Sequence, residues 1–266
     1  MTPRRTLLVG SGRIGTRVAS ALSASGGEVV TLRRSPAADA AGPHIQADVA
    51  RPLEVSLPDV DAVVFTLPPG ENASLLPDAV ANIARALPAT PRRCVFVSST
   101  RVLEGYTDDR PLTEQDAARP RGERAQQLVD GEARATELFD ATILRPAGIY
   151  GPGRDRLIRQ VLAGTPVDHD RRTNRIHETD VVRAIVAVVT ADDPPRLIHA
   201  TDTQPATLGE VVSFLAERLG VPVPPRGERG ERAGTVLVGD RLHALLGTLT
   251  YPTFRDGYGE IVAAMR

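Results

Sequence analysis

Short apolar runs alternate with amphipathic stretches along the first two-thirds of the chain. Runs such as LLV, VV, AVVF and CVFV are short and rich in β-branched residues, with polar or turn residues on either side. That is the signature of strands buried on both faces. The pattern predicts strands at 6–10, 28–33, 44–48, 62–67, 93–98 and 141–145, with helices at 13–25, 72–87 and 121–139 between them. Such a βαβ succession implies an α/β fold, a doubly wound parallel sheet with right-handed crossovers. After Pro146 the pattern loosens. Helices are expected at 154–162 and 179–189, with a short strand at 197–200. Thr207 and Glu210 have capping-box spacing at the head of a further helix to about residue 219. The segment 221–234 is rich in Pro, Gly and charge and reads as an exposed loop, followed by helices at 239–246 and 258–265. The expected division is a dinucleotide-type core over 1–150, with 176–195 packing back on it, and a small C-terminal substrate lobe over 151–266.

The chain has 266 residues, 41% of them hydrophobic and 24% charged, ordinary for a globular protein. A net charge of -1 gives no pull toward nucleic acid or membrane, and no apolar run approaches the roughly 18 residues of a membrane span. The N-terminus passes directly into a strand pattern rather than a secretory leader. With the lone cysteine, Cys94, this favours a reducing, cytoplasmic setting. One count changes the chemistry: all 32 basic residues are arginine, and lysine is absent. A Schiff-base lysine, a Walker-type phosphate lysine and a lysine-activated tyrosine are therefore excluded.

The sharpest motif is LLVGSGRIGTRV. Gly10, Gly12 and Gly15 form G-x-G-x-x-G between a strand and a helix, with Ser11, Arg13 and Ile14 completing the turn. Gly10 suits a tight turn, Gly12 lets a pyrophosphate approach the backbone, and Gly15 permits close helix packing. The helix N-terminus offers unpaired N–H groups to the phosphates. The second strand ends in Arg33-Arg34, where an NAD site normally carries a carboxylate for the ribose 2′-OH. Two guanidinium groups suit a 2′-phosphate, so NADP is expected over NAD, although both arginines could equally be solvated. Asp48, next to Val49, could accept from an adenine amino group, and Leu67, Pro68 and Pro69 end a strand beside the cofactor.

With VFVSSTRV at 95–102, PLTEQDAARP at 111–120, ILRPAGIYGPGR at 143–154 and RIHETDVVRAIVAVV at 175–189, the chain resembles an extended or atypical short-chain dehydrogenase/reductase of the NAD-dependent epimerase/dehydratase type. The resemblance covers nearly the whole chain and implies a Rossmann sheet whose small C-terminal lobe carries the substrate pocket. It implies that Ser99, or less directly Thr100, is the catalytic hydroxyl. It also implies that Pro146, Ala147, Gly148 and Ile149 line the nicotinamide. There are two departures. Val9 stands where the family's first glycine would be. Aligning Glu132 with the family's helix glutamate places Arg124 at the catalytic tyrosine and Leu128 at the catalytic lysine.

Arg124 stays protonated and cannot replace the tyrosine as a proton carrier, although it could clamp an oxyanion or carboxylate. Tyr106 could reach the site from the loop after Ser99. Tyr150, Arg175 and His177 are candidate substrate contacts, each with a structural reading beside it. Arg171, Arg172 and Arg175 together could greet an anionic substrate, or form an arginine-rich solvated turn. No metal-ligand spacing is present. The expectation is an NADP(H)-binding oxidoreductase or epimerase-like enzyme for a small, sugar-like or anionic substrate. It has no nucleic-acid or membrane partner, and pairing into a homodimer is plausible. The alternative is an inactive dinucleotide-binding regulator or redox sensor.

Overall fold

A computed structural model describes residues 2–35, 42–107, 110–230 and 233–265. Strands β1 (Arg5–Val9), β2 (Glu28–Arg33), β3 (His44–Gln46), β4 (Ala62–Phe65), β5 (Arg93–Val97) and β6 (Thr142–Pro146) follow the expected order. Helices α1 (Arg13–Ala24), α2 (Leu75–Ala86) and α3 (Glu123–Phe139) lie between them. Next come β7 (Gly148–Tyr150), α4 (Arg156–Leu162), β8 (Arg172–Thr173), β9 (Arg175–His177), α5 (Glu178–Thr190) and β10 (Leu197–Ala200). The chain finishes with β11 (Ala206–Thr207), α6 (Leu208–Leu219), α7 (Asp240–Leu246) and α8 (Phe254–Ala263).

Seven parallel strands form one sheet in the order β3-β2-β1-β4-β5-β6-β10. Successive side chains point to opposite faces. Leu7, Val9, Val63 and Phe65 accordingly meet α2 and α3, while Leu8, Val64 and Val95 meet α1, α5 and Leu242 of α7. Burial on both faces explains why these strands read as unbroken apolar runs.

The core takes in more of the C-terminal third than the sequence pattern separated. β10 completes the main sheet, and α7 packs on β10 and α5. What remains is the lobe: α4, α6 and α8 around Ile158, Val161, Val211, Leu215 and Phe254. Helix α8 begins four residues earlier than its hydrophobic pattern suggests, because Thr253 and Asp256 form a capping box. Helix α2 begins three residues later than expected, after a turn in which Asn72 Oδ1 accepts from Ser74 N at 3.1 Å. The segment read as a free loop at 221–234 does expose most of its side chains, yet its backbone is tied down. Gly230 N donates to Asp168 at 2.9 Å, and Arg172 N donates to the carbonyl of Ala233 at 2.7 Å.

Candidate functional site

The sheet order reverses between β1 and β4, and the carboxyl ends of those strands flank the crevice where a parallel sheet takes its ligand. Gly10 leaves β1 with φ of +91°, a conformation that glycine enters without strain. Thr66, at the end of β4, donates through Oγ1 to the Gly10 carbonyl at 2.6 Å and fixes the turn from behind. A Cβ on Gly15 would lie 2.4 Å from the Gly10 oxygen, so glycine is what lets α1 approach. A Cβ on Gly12 would meet nothing within 4 Å, and the space over the turn is open. The turn's backbone, from Gly10 through Ser11 and Gly12 into the first residues of α1, Arg13 and Ile14, thus forms a cradle with the dipole of a 12-residue helix behind it.

A cleft of about 730 Å³ runs from this cradle along the ends of β2, β3 and β4. Arg33, Arg34 and Asp48 line its far end, and Leu67, Pro68 and Pro69 line its wall. Val49 is buried beneath it. Arg33 Nε donates to the Ser35 carbonyl at 2.8 Å, and Asp48 Oδ1 accepts from Ala50 N at 3.1 Å. The wall is held by a residue that sequence reasoning missed. Gln127 of α3 is 2% exposed; its Oε1 accepts from Gly70 N at 2.8 Å and its Nε2 donates to the Asn72 carbonyl at 2.6 Å. A glutamine on an amphipathic helix gives no sequence signal of such a contact.

A second cleft of about 830 Å³ opens at the ends of β5 and β6. Ser99, Thr100, Tyr106, Ala147 and Gly148 line it together. Ser99 Oγ accepts from Arg101 N at 3.2 Å, capping a short 3₁₀ turn. Tyr106 donates its hydroxyl to the Ala117 carbonyl at 2.9 Å, and the Arg119 guanidinium lies 4.2 Å from its ring centre. Pro146 is buried at the end of β6 and Ile149 half-buried beyond it. Among the described lining residues, Arg101, Arg171 and Arg172 outnumber the single carboxylate, Glu104. The neighbouring cleft of about 540 Å³ shares Gly148, Arg171, Thr173 and Asn174 with it and adds Arg154, Arg156 and Arg175. Asn174 donates to the Thr235 carbonyl at 2.8 Å and accepts from Leu237 N at 2.9 Å, closing the loop over the cleft.

Other candidates fall elsewhere. Arg124 is exposed on the first turn of α3 and is absent from the lining of these clefts. Leu128, at the lysine position, is 2% exposed and belongs to the apolar core. One turn further along, Glu132 takes Arg145 in a bidentate pair at 2.9 and 2.6 Å and accepts from Ser98 Oγ at 2.5 Å. His177 is buried, and its Nδ1 accepts from Thr179 N at 3.2 Å, which makes it the N-cap of α5. Desolvation pushes its pKa down. Tyr150 stacks on Tyr258 at 4.5 Å between ring centres and donates to the Thr253 carbonyl at 3.2 Å. Burial raises its hydroxyl pKa. Arg175 is also buried, and desolvation draws its guanidinium pKa down against the nearby Tyr258 and Asp202. Tyr150 and Arg175 still border the 540 Å³ cleft.

The geometry agrees with what the chain is similar to. A family model described as NAD(P)H-binding matches residues 10–192. A Methylobacillus flagellatus protein classed as an NAD-dependent epimerase/dehydratase is 30% identical, with a TM-score of 0.83 over 99% of both chains. A Burkholderia cenocepacia protein classed as an epimerase is 20% identical, with a TM-score of 0.80 over 100% of this chain and 99% of that one. The Bacillus cereus UDP-glucuronic acid 4-epimerase, solved with UDP-glucuronic acid and NAD, is 17% identical, with a TM-score of 0.79 over 98% of this chain and all of that one. A search of curated proteins finds no match. The chain belongs to the NAD(P)H-binding family, as a Rossmann-fold protein of the NAD-dependent epimerase/dehydratase type.

Proposed function

We propose that the protein is an NADP(H)-dependent oxidoreductase or epimerase for a small, anionic, sugar-like substrate. The observation that carries the cofactor choice is the end of β2. There Arg33 and Arg34 line the same cleft as the open Gly10–Gly12 cradle, and among the described residues the strand end, Leu32–Ser35, carries no carboxylate. A 2′-phosphate at that place meets guanidinium groups suited to phosphate, whereas a bare 2′-OH lacks its usual acceptor. The cradle would take the pyrophosphate, Asp48 the adenine edge, and Ala147–Gly148 the nicotinamide end. The bound cofactor supplies a hydride donor or acceptor.

The remaining chemistry falls to the chain. In the 830 Å³ cleft, Ser99 and Thr100 present hydroxyls to orient a carbonyl or alcohol, with Arg171 and Arg172 beside them to hold negative charge. The UDP-glucuronic acid bound by the Bacillus cereus epimerase is an anionic sugar conjugate of the kind the arginine lining suits. Proton transfer does not follow the Tyr/Lys route, since the chain contains no lysine. Tyr106 is the cleft's own phenol and the candidate donor, on condition that it releases Ala117. Arg124, exposed and outside the clefts, has no catalytic part in this scheme.

One observation favours a second reading, a dinucleotide-binding regulator without turnover. The helix turn that would carry the lysine is filled by Leu128 in the core. Calorimetric titration with NADP(H) and NAD(H), on wild type and on Arg33→Asp, tests the cofactor. The expected result is NADP(H) preference that Arg33→Asp reverses or abolishes, and an unchanged preference overturns the argument. Tight NADPH binding with no oxidation across a carbonyl panel favours the regulator.

A further inference from the structure

Beside the phosphate cradle lies a cluster that the proposed reaction does not use. Glu178, the first residue of α5, has a side chain only 1% exposed and holds three guanidinium groups. Arg13 Nε donates to Oε2 at 2.7 Å, Arg17 Nη1 to Oε1 at 2.5 Å, and Arg154 Nε to Oε2 at 3.3 Å. Two of the arginines come from α1 and one from beyond β7: Arg13 opens α1 at the cradle, Arg17 sits one turn on, and Arg154 follows the GPG turn that leads into the lobe. Arg13 also donates to the Pro152 carbonyl, and Arg17 Nη2 donates to Thr179 Oγ1 at 3.0 Å. The GPG turn is shaped to this cluster. A Cβ on Gly151 would lie 2.5 Å from Glu178 Cγ, and one on Gly153 would lie 2.8 Å from Arg13 Nη1.

The arrangement has a consequence for the cradle. Arg13 opens α1 at the cradle with a long side chain, yet its guanidinium is turned toward Glu178 and the Pro152 carbonyl. The phosphates are thereby left to the backbone N–H groups of the turn. A buried carboxylate that organises three cations is held by charge-assisted bonds, and losing it would leave those cations to reorganise. We propose that Glu178 is a positioning residue for the cofactor's pyrophosphate. It fixes the first turn of α1 and docks the entry of the lobe against it. The proposal rests on the dinucleotide-binding reading above.

The sign of the effect separates positioning from simple electrostatics. Three arginines against one carboxylate leave a net positive charge, so removing the carboxylate would tighten an anion if charge alone mattered. Positioning predicts the reverse. The test compares two probes on wild type, Glu178→Gln and Arg17→Met, by calorimetry. NADPH spans the cradle; adenosine 2′-monophosphate reaches only the Arg33, Arg34 and Asp48 end. The expected result is NADPH binding weakened about tenfold in Glu178→Gln, as for loss of one charge-assisted hydrogen-bonding group, and by less in Arg17→Met. Adenosine 2′-monophosphate affinity stays within roughly twofold of wild type. Arg17 is half-exposed and lies outside the cradle, so its variant decides the matter should Glu178→Gln fail to fold. Unchanged or tighter NADPH binding, or equal losses for both probes, overturns the inference. Wild-type protein that binds neither probe overturns the cofactor reading and this inference with it.

Discussion

Glu132→Gln should unfold the protein far more readily, although Glu132 touches no cleft. The carboxylate is 7% exposed and takes both a bidentate guanidinium from Arg145 and the Ser98 hydroxyl. Arg145 is 5% exposed, and its Nη1 finds no partner among the described residues, so the guanidinium depends on Glu132 for its compensation. Glutamine keeps the shape and removes the charge, leaving a buried cation. Breaking a buried pair from one side costs about 3–5 kcal/mol, a large part of a total stability on the order of 5–15 kcal/mol. At roughly 2–4 °C per kcal/mol for chains near this size, Tm falls by roughly 6–20 °C. Guanidinium chloride unfolding of Glu132→Gln, Arg145→Met and the double variant Glu132→Met/Arg145→Met forms the assay. The double variant should recover most of the loss, because an apolar pair of similar volume replaces a desolvated ion pair. A remaining deficit of about 1 kcal/mol is expected from the Ser98 hydroxyl, which loses its acceptor. A loss below about 1 kcal/mol in Glu132→Gln, or a double variant as unstable as the sum of the singles, would refute the reasoning.

Three further predictions follow from the same geometry. Gln127→Leu strands the Gly70 N–H and the Asn72 carbonyl, each at a cost of about 1–3 kcal/mol if buried, and should speed amide exchange at Gly70 while weakening NADPH binding; slow exchange at wild-type rates would sink it. Gly15→Ala places a Cβ 2.4 Å from the Gly10 oxygen and should cost about 1–3 kcal/mol by overpacking, with nucleotide binding reduced in calorimetry; wild-type affinity would count against the cradle. Asp202→Asn probes a carboxyl whose pKa burial pushes up to about 7, so that the folded chain holds a proton the unfolded chain has released. Wild-type stability should therefore fall as pH rises from about 4 to 7, and the variant should match wild type near pH 4 yet exceed it by on the order of 2–4 kcal/mol at pH 8; a stability difference independent of pH refutes it.

The sheet was legible because burial on both faces leaves unbroken apolar runs, and the cradle because its three glycines each meet a separate geometric demand. Gly10 needs its positive φ, Gly12 its open face and Gly15 its close contact with the Gly10 carbonyl. The end of β2 was legible for a similar reason, since a strand end and its next two residues lie beside the cradle in any sheet of this order. Contacts made by one side chain across long sequence distances were not. Gln127 reaches a loop 55 to 57 residues away, and Glu178 reaches Arg13 across 165. Nothing in the local pattern of either segment marks those partners. His177, a candidate substrate contact with a structural reading beside it, shows in its local contacts the structural part, the cap of α5.

Helix α3 holds the wall of the 730 Å³ cleft in a chain that contains no lysine. Two roles on that helix are separable. One is the catalytic role that the family resemblance implies; alignment through Glu132 puts it at Arg124, which is exposed, and Leu128, which lies in the core. The other is structural, and it survives: Glu132 joins α3 to β6 through Arg145, and Gln127 ties α3 to the cleft wall at Gly70 and Asn72. The wall of that cleft at Gly70 and Asn72 is therefore held by α3 through Gln127, independently of Arg124 and Leu128. For that reason nucleotide affinity and turnover should respond to different residues in this protein, the first to Gln127 and Glu178, the second to Ser99, Thr100 and Tyr106.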